Sequence, residues 1–305
     1  MVNIMKKYVV TGAGGFIGSS LCLKLITQGN VVYGIDVFEN EAISKLKCFN
    51  NFLFIRSGYS DYSSLKIEGG FDFVIHVAWG GVSGLAYGDI QSQMVNITGA
   101  INVVEFCSKN LCNKLLFVDS SHEYQKNTNK NGEIGFCSLY GAAKKAAHSV
   151  LETLTHNLGI SFYSAAFTNV YGFGDYSHRS TNAILESLFK KGYVDLIEGD
   201  NLHDWTYIDD AVDGLVAICD KGKPNVIYYI GSTRLQTFKS IIERMHNAIG
   251  NIGVLNIGKY SDTSFVDYSF FDLNRLYEDT GFKCQISVEQ GTLKTVEWLK
   301  RIGRI

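Results

Sequence analysis

Tyr8-Val9-Val10-Thr11-Gly12-Ala13-Gly14-Gly15-Phe16-Ile17-Gly18 is the stretch on which the reading of this chain turns. A short apolar run favours a strand, the glycines that follow favour a tight turn, and the apolar spacing over Ile17–Gln28 favours a helix. Gly12 permits the turn, Gly15 lets the backbone approach a pyrophosphate, and Gly18 lets the helix pack closely on the strand. The helix start, with Phe16 and Ile17, offers unpaired N–H groups to an anion. A glycine pattern alone is weak evidence. A strand directly before it and an apolar helix directly after it are the contexts that make it specific for a dinucleotide.

Outward from this unit the alternation continues. Val31–Ile35, Phe52–Ile55, Phe73–Val77, Leu115–Val118 and Ser161–Ala165 read as strands, with helical spacing over Asp89–Lys109 and Leu139–Leu158. Such alternation predicts an α/β fold, a doubly wound parallel Rossmann sheet whose ligands lie beyond the carboxyl ends of the strands. Past residue 170 the pattern is irregular, with helical runs at Thr181–Lys191, Asp209–Cys219 and Phe238–Ile249. The expected division is a nucleotide-binding Rossmann domain over 1–170 and a smaller C-terminal α/β substrate lobe over 171–305. Residues 209–230 are expected to return to the main sheet.

Asp36 closes the second strand eighteen residues past Gly18, near the ~20 at which an acid meets the adenosine ribose. A carboxylate there accepts from ribose hydroxyls and repels a 2′-phosphate. No Arg follows it closely in sequence, so NAD(H) is favoured over NADP(H). Composition sets the outer bounds. The chain has 305 residues, 46 % apolar and 19 % charged, with a formal net charge of −2. That permits a large core and gives no basic excess for nucleic acid or an anionic membrane. Its seven cysteines, at 22, 48, 107, 112, 137, 219 and 284, show neither a CxxC pair nor zinc spacing. No metal is therefore expected, and the thiols read as small apolar residues in a reducing, cytoplasmic setting. No signal-peptide pattern and no run near the ~18 apolar residues of a membrane span is present.

Tyr140-Gly141-Ala142-Ala143-Lys144 opens a helix, and i, i+4 spacing puts both polar side chains on one face. A free phenol is a poor base at neutral pH, but a nearby ammonium favours the phenolate. Tyr140 could then take a proton from a hydroxyl or give one to a ketone. Ser120 ends the strand Leu115–Val118 in Asp119-Ser120-Ser121-His122-Glu123-Tyr124 and could hold the reacting oxygen. Asn96 lies on the helix after Phe73–Ala78 and could support a group near Lys144. His178 and Arg179 sit in a polar loop, where a substrate contact and a solvated pair are equal readings. His148 and His156 read as structural or exposed, and Trp205 as core.

Together these pieces resemble an extended short-chain dehydrogenase/reductase of the group that modifies nucleotide-diphosphate sugars. The matching segments are Thr11–Gly18, Asp36, His76–Ala78, Asn96, Ser120–Tyr124, Tyr140–Lys144, Asn169–Gly172 and Asp204–Asp210, in the family's order. The resemblance implies a catalytic triad of Ser120, Tyr140 and Lys144. It implies cofactor contacts from Gly12, Gly15, Phe16, Ile17, Gly18, Asp36, Ala78, Asn96, Tyr140, Lys144 and Phe167. Substrate contacts are expected from Ser121, His122, Asn169, His178, Arg179 and His203, and a homodimer through the helices carrying Asn96 and Tyr140. Departures matter too. Ser121 and His122 stand where sugar 4,6-dehydratases carry an Asp-Glu pair, which disfavours dehydration. His203 and Ala166 stand where Arg is common. Trp79-Gly80-Gly81 replaces smaller residues beside the sugar pocket.

The expected activity is that of an NAD(P)-dependent nucleotide-sugar 4-ketoreductase acting on a 4-keto-6-deoxyhexose, a choice tilted by the polar Ser121-His122. The alternative is a 4-epimerase with tightly bound NAD. A non-catalytic nucleotide-binding protein on the same fold is the third reading, disfavoured by the retained Tyr140 and Lys144.

Overall fold

The computed structural model describes residues 5–68, 70–128, 134–136 and 138–305. The Rossmann part runs β1 (Lys7–Thr11), α1 (Phe16–Thr27), β2 (Val31–Asp36), α2 (Glu41–Leu46), β3 (Phe52–Arg56), β4 (Phe73–His76), α3 (Ile90–Lys109) and β5 (Lys114–Ser120). Next come β6 (Gln125–Thr128), β7 (Ile134–Phe136), α4 (Leu139–Asn157), β8 (Ser161–Phe167), β9 (Asn169–Tyr171) and α5 (Ser180–Lys191). Then follow β10 (Tyr193–Ile197), β11 (Leu202–His203), β12 (Trp205–Tyr207), α6 (Ile208–Lys221), β13 (Ile227–Tyr229), β14 (Gln236–Thr237) and α7 (Phe238–Ala248). The chain closes with β15 (Val254–Tyr260), β16 (Ser264–Val266), α8 (Arg275–Thr280) and α9 (Val288–Arg301).

Seven parallel strands form the main sheet in the order β13-β8-β5-β4-β1-β2-β3. The direction of winding reverses between β1 and β4, which creates the crevice where such sheets take ligands. Both faces are covered, so the strands are apolar on both sides. Tyr8, Val10, Leu116 and Val118 are buried on the face of α1 and α6, and Val9, Val74, Leu115 and Phe117 on the face of α3 and α4. β13 pairs with β8, Ile227 opposite Ser164, so the chain between α6 and β13 does run back to this sheet.

Caps set the helices that matter for the crevice. Asp89 accepts the Ser92 N–H at 2.8 Å to start α3, and Ser138 accepts the Gly141 N–H at 3.1 Å to start α4. No side chain caps α1, which leaves its first N–H groups facing the crevice. Beyond the main sheet, β10 pairs with β15 and β9 with β12, while β16, β6 and β7 make a small antiparallel sheet. α7 and α9 pack together behind them. The six described cysteines are all free, and Cys137 lies outside the described residues. Among the described residues, no helix is long and apolar enough to cross a membrane.

Candidate active site

The crevice between β1 and β4 opens into a cavity of about 600 Å³. Its floor is the glycine turn. Gly12 adopts φ +71°, and a Cβ there would lie 2.8 Å from the Ala78 backbone, so only glycine fits between the ends of β1 and β4. Thr11 Oγ1 ties the same point together. It accepts the Ala78 N–H at 3.3 Å and lies 2.7 Å from His76 Nδ1. Asp36 reaches back to this turn and accepts from Gly14 N at 2.8 Å and Val37 N at 2.7 Å. Gly12, Gly15, Phe16, Ile17, Gly18, Asp36, Ala78 and Phe167 all line the cavity. A backbone cradle, an uncapped helix start and an acid at the second strand's end are the donor and acceptor set that a dinucleotide's pyrophosphate and ribose need. Arg56, one strand across in register with Asp36, is nearer than sequence distance suggests, but its Nε donates to Val37 O at 3.0 Å.

At the other end of the cavity stand Ser120, Tyr140 and Lys144. Ser120 is the last residue of β5, and its Oγ lies 3.0 Å from His122 Nδ1 and accepts the His122 N–H at 3.2 Å. The Tyr140 ring is stacked on Tyr87 at 5.0 Å between centroids and meets Trp79 and His122 edge-on. Lys144 is 3 % exposed, and its Nζ donates to Val118 O at 2.8 Å. It also sits 3.9 Å from the Trp79 ring centroid and 4.5 Å from that of Phe117. Burial brings Lys144 down to about 8, against the pull of Asp119 and Glu123. The sequence reading has Lys144 lowering the Tyr140 phenol. Instead enclosure pushes that phenol up, outweighing its hydrogen bond with Ser120 and the charge of Arg179. The ammonium is spent on a carbonyl and two aromatic faces.

His122 and Asn169 line the cavity beside Arg179. Burial holds the His122 imidazole down at about 4, so it is neutral at physiological pH. Four expected contacts are not on the cavity wall. Asn96 is buried, with its amide spanning Gly80, accepting from its N–H and donating to its C=O at 2.8 Å each. It braces the loop after β4 at Gly80, next to Trp79, whose ring packs on Lys144. Ser121, the first residue of the turn after β5, is fully buried and off the cavity wall, donating to Thr168 Oγ1 at 3.0 Å. His178 is held outside by Arg304 at 2.9 Å and Glu186. The His203 ring is tucked edge-on against Phe238. Trp205 is core, His156 is exposed and His148 is buried. Sequence reasoning did not single out Tyr59, Tyr87 and Thr168 as cavity residues. They come from loops with no helical or strand periodicity to place them.

Comparison with known proteins extends this picture. The model of the NAD dependent epimerase/dehydratase family matches residues 8–231. Protein CapI of Staphylococcus aureus is 26 % identical, over 96 % of this chain and 98 % of its own length. A UDP-glucuronate 4-epimerase of Thermodesulfobacterium geofontis is also 26 % identical, over 97 % of both chains. Among solved structures, UDP-glucuronic acid 4-epimerase from Bacillus cereus in complex with NAD has a TM-score of 0.78 at 21 % identity, covering 97 % of each chain. UDP-glucose 4-epimerase from Thermotoga maritima with UDP-glucose has a TM-score of 0.80 at 22 % identity, covering 97 % of this chain and 99 % of that one.

Proposed function

Since the chain belongs to the NAD dependent epimerase/dehydratase family, we propose that it is a nucleotide-sugar 4-epimerase, with a UDP-hexuronate as the first substrate to test. The observation that carries the reading is the single cavity that joins a dinucleotide cradle to Ser120, Tyr140 and Lys144. The relatives named above with a stated activity are 4-epimerases. The main expectation, a 4-ketoreductase, was tilted by the missing dehydratase acids and the polar Ser121-His122 beside the sugar. Ser121 lies off the cavity wall and burial keeps His122 neutral, which weakens that tilt.

In this proposal the cradle of Gly12, Gly15 and Asp36 would hold NAD, which would supply reversible hydride acceptance at the sugar carbon. The residues do the rest. Tyr140 takes the proton of the C4 hydroxyl and later restores it. Ser120 donates to the same oxygen and keeps it aimed at the phenol. Lys144, one turn along α4 on the same helix face, is anchored on Val118 O and keeps a positive charge at this end of the cavity. Gly12, Gly15 and the start of α1 hold the pyrophosphate, and Asp36 takes the adenosine ribose. His122, Asn169 and Arg179 face the sugar nucleotide, and Arg179 offers a guanidinium to a carboxylate or phosphate.

Residues 1–170 with the returning 209–230 act as the cofactor unit and 171–305 as the substrate lobe in the same proposal. A homodimer through α3 and α4 is also part of it, supported by the exposed Ile90, Met94 and Val95 on α3. A cytoplasmic location is supported by the free thiols.

The test is to incubate the purified protein with UDP-glucuronate, UDP-glucose and a 4-keto sugar nucleotide, each with NAD or NADH. Interconversion of C4 epimers without net reduction of NAD is the expected result. Stoichiometric consumption of NADH on the keto sugar alone would restore the reductase reading.

A further inference from the structure

Behind the triad lies a second group of titratable side chains that the reaction above does not use. Asp119 of β5, Glu123 of the turn Ser121–Tyr124 and His148 of α4 are all buried, at 5 %, 3 % and 8 % exposure. His148 Nδ1 donates to Asp119 Oδ2 at 2.6 Å, and Ser164 of β8 donates to the same oxygen at 3.2 Å. Glu123 Oε1 lies 3.9 Å from His148 Nδ1 and is buried with no hydrogen-bond partner. The placement is not incidental to the site. Tyr140, Lys144 and His148 follow one another at i, i+4, i+8 on the face of α4 that meets β5. On β5, Val118 O takes Lys144, Asp119 takes His148, and Ser120 stands at the reacting end.

We propose that Asp119, Glu123 and His148 form a buried proton-holding clamp that fixes α4 on β5 and so positions Lys144 and Tyr140 at the cavity. Two carboxyls this deep cannot both ionise beside one imidazole. Asp119, with the His148 N–H and the Ser164 hydroxyl, carries the negative charge. Glu123 keeps its proton, pushed up by burial and by Asp119. The 2.6 Å contact between Nδ1 and Oδ2 is a filled hydrogen bond, which leaves the cluster for a proton and not for a cation. The charged and titratable groups facing Glu123 are Asp119 from β5, Lys144, Lys145 and His148 from α4, and Tyr124 beside it in the turn. Glu152 faces His148 from further along α4. Asp119 reaches the cavity wall but its carboxylate is engaged by His148 and Ser164, and Glu123 and His148 lie off the wall, so the three act as positioning residues whose role in turnover rests on the proposed reaction.

The sign of the pH effect follows from Glu123. Its folded value is raised above the ordinary 4.5, so the stability it contributes is complete below 4.5 and drains away as pH rises toward about 11. Folding therefore takes up about one proton at this residue across the neutral range. Glu123→Gln mimics the protonated acid and removes that uptake. Denaturant unfolding of wild type and Glu123→Gln is to be followed between about pH 6 and about pH 9. The folded-to-unfolded ratio of the variant, relative to wild type, should rise about tenfold per pH unit. A ratio constant with pH, or one equivalent of divalent metal retained by the purified wild type, would overturn the clamp.

The positioning arm uses Asp119→Asn. Loss of its charge should lower kcat with KM little changed, and move the alkaline limb of kcat/KM, set by Lys144 at about 8, down by about one pH unit. A profile that overlays wild type would contradict the positioning role. If Asp119→Asn does not fold, the Glu123→Gln unfolding series still decides. Absence of sugar-nucleotide turnover in wild type would sink the proposed function alone, because the unfolding series needs no substrate.

Discussion

Tyr140→Phe is expected to abolish turnover, by about 10²–10⁴-fold or more, while the purified protein still carries its dinucleotide. In the proposed reaction the Tyr140 phenol exchanges the proton with the C4 hydroxyl, and the neutral His122 is engaged with Ser120. Removing one oxygen leaves the Tyr140 ring in its stack on Tyr87 and against Trp79. The fold and the glycine cradle at the other end of the cavity should be untouched. The checks are kcat with the accepted UDP-sugar and the absorbance of bound dinucleotide, taken on the same preparation. Full activity in this variant would remove Tyr140 from the reaction.

Gly18→Ala is expected to act the other way, on the cofactor first. A Cβ at residue 18 would overlap the Gly12 carbonyl oxygen and lie 2.7 Å from the Gly12 carbonyl carbon. The obstacle is backbone, which cannot swing aside as a side chain would. Alanine would gain about 1 kcal/mol of helix propensity over glycine, but the overlap costs about 1–3 kcal/mol or more. α1 must lift off the turn, and its first N–H groups then lose their aim at the pyrophosphate. Purified Gly18→Ala should contain little dinucleotide and melt a few degrees below wild type. A variant that retained a full complement of dinucleotide would show that α1 does not need this close approach.

Much of this was legible from residues 8–18 and from the alternation that follows, because parallel strands and amphipathic helices carry their periods openly. The helix starts agree to within a residue or so, and in the structure Asp89 and Ser138 cap them. Less legible were the directions of side chains at the end of β5. Ser120, Ser121 and His122 are neighbours in sequence, yet Ser120 and His122 face the cavity while Ser121 faces Thr168. The turn that decides this carries no period. The same limit hid the clamp, whose members Asp119, Glu123 and His148 come from a strand, a turn and a helix. His148 reads from sequence only as one more polar residue on an amphipathic helix, and its Asp119 partner lies 29 residues away. Lys144 lines the cavity, but Trp79 and Val118 O claim its ammonium.

The most direct test of the central claim, oxidation and return at one sugar carbon, is to supply the UDP-sugar with deuterium at C4 and to examine the C4-inverted product by NMR. The account predicts inversion with deuterium retained at C4 and no net change in free NAD. Washout of that deuterium to solvent, or its appearance in the free dinucleotide pool, would contradict it.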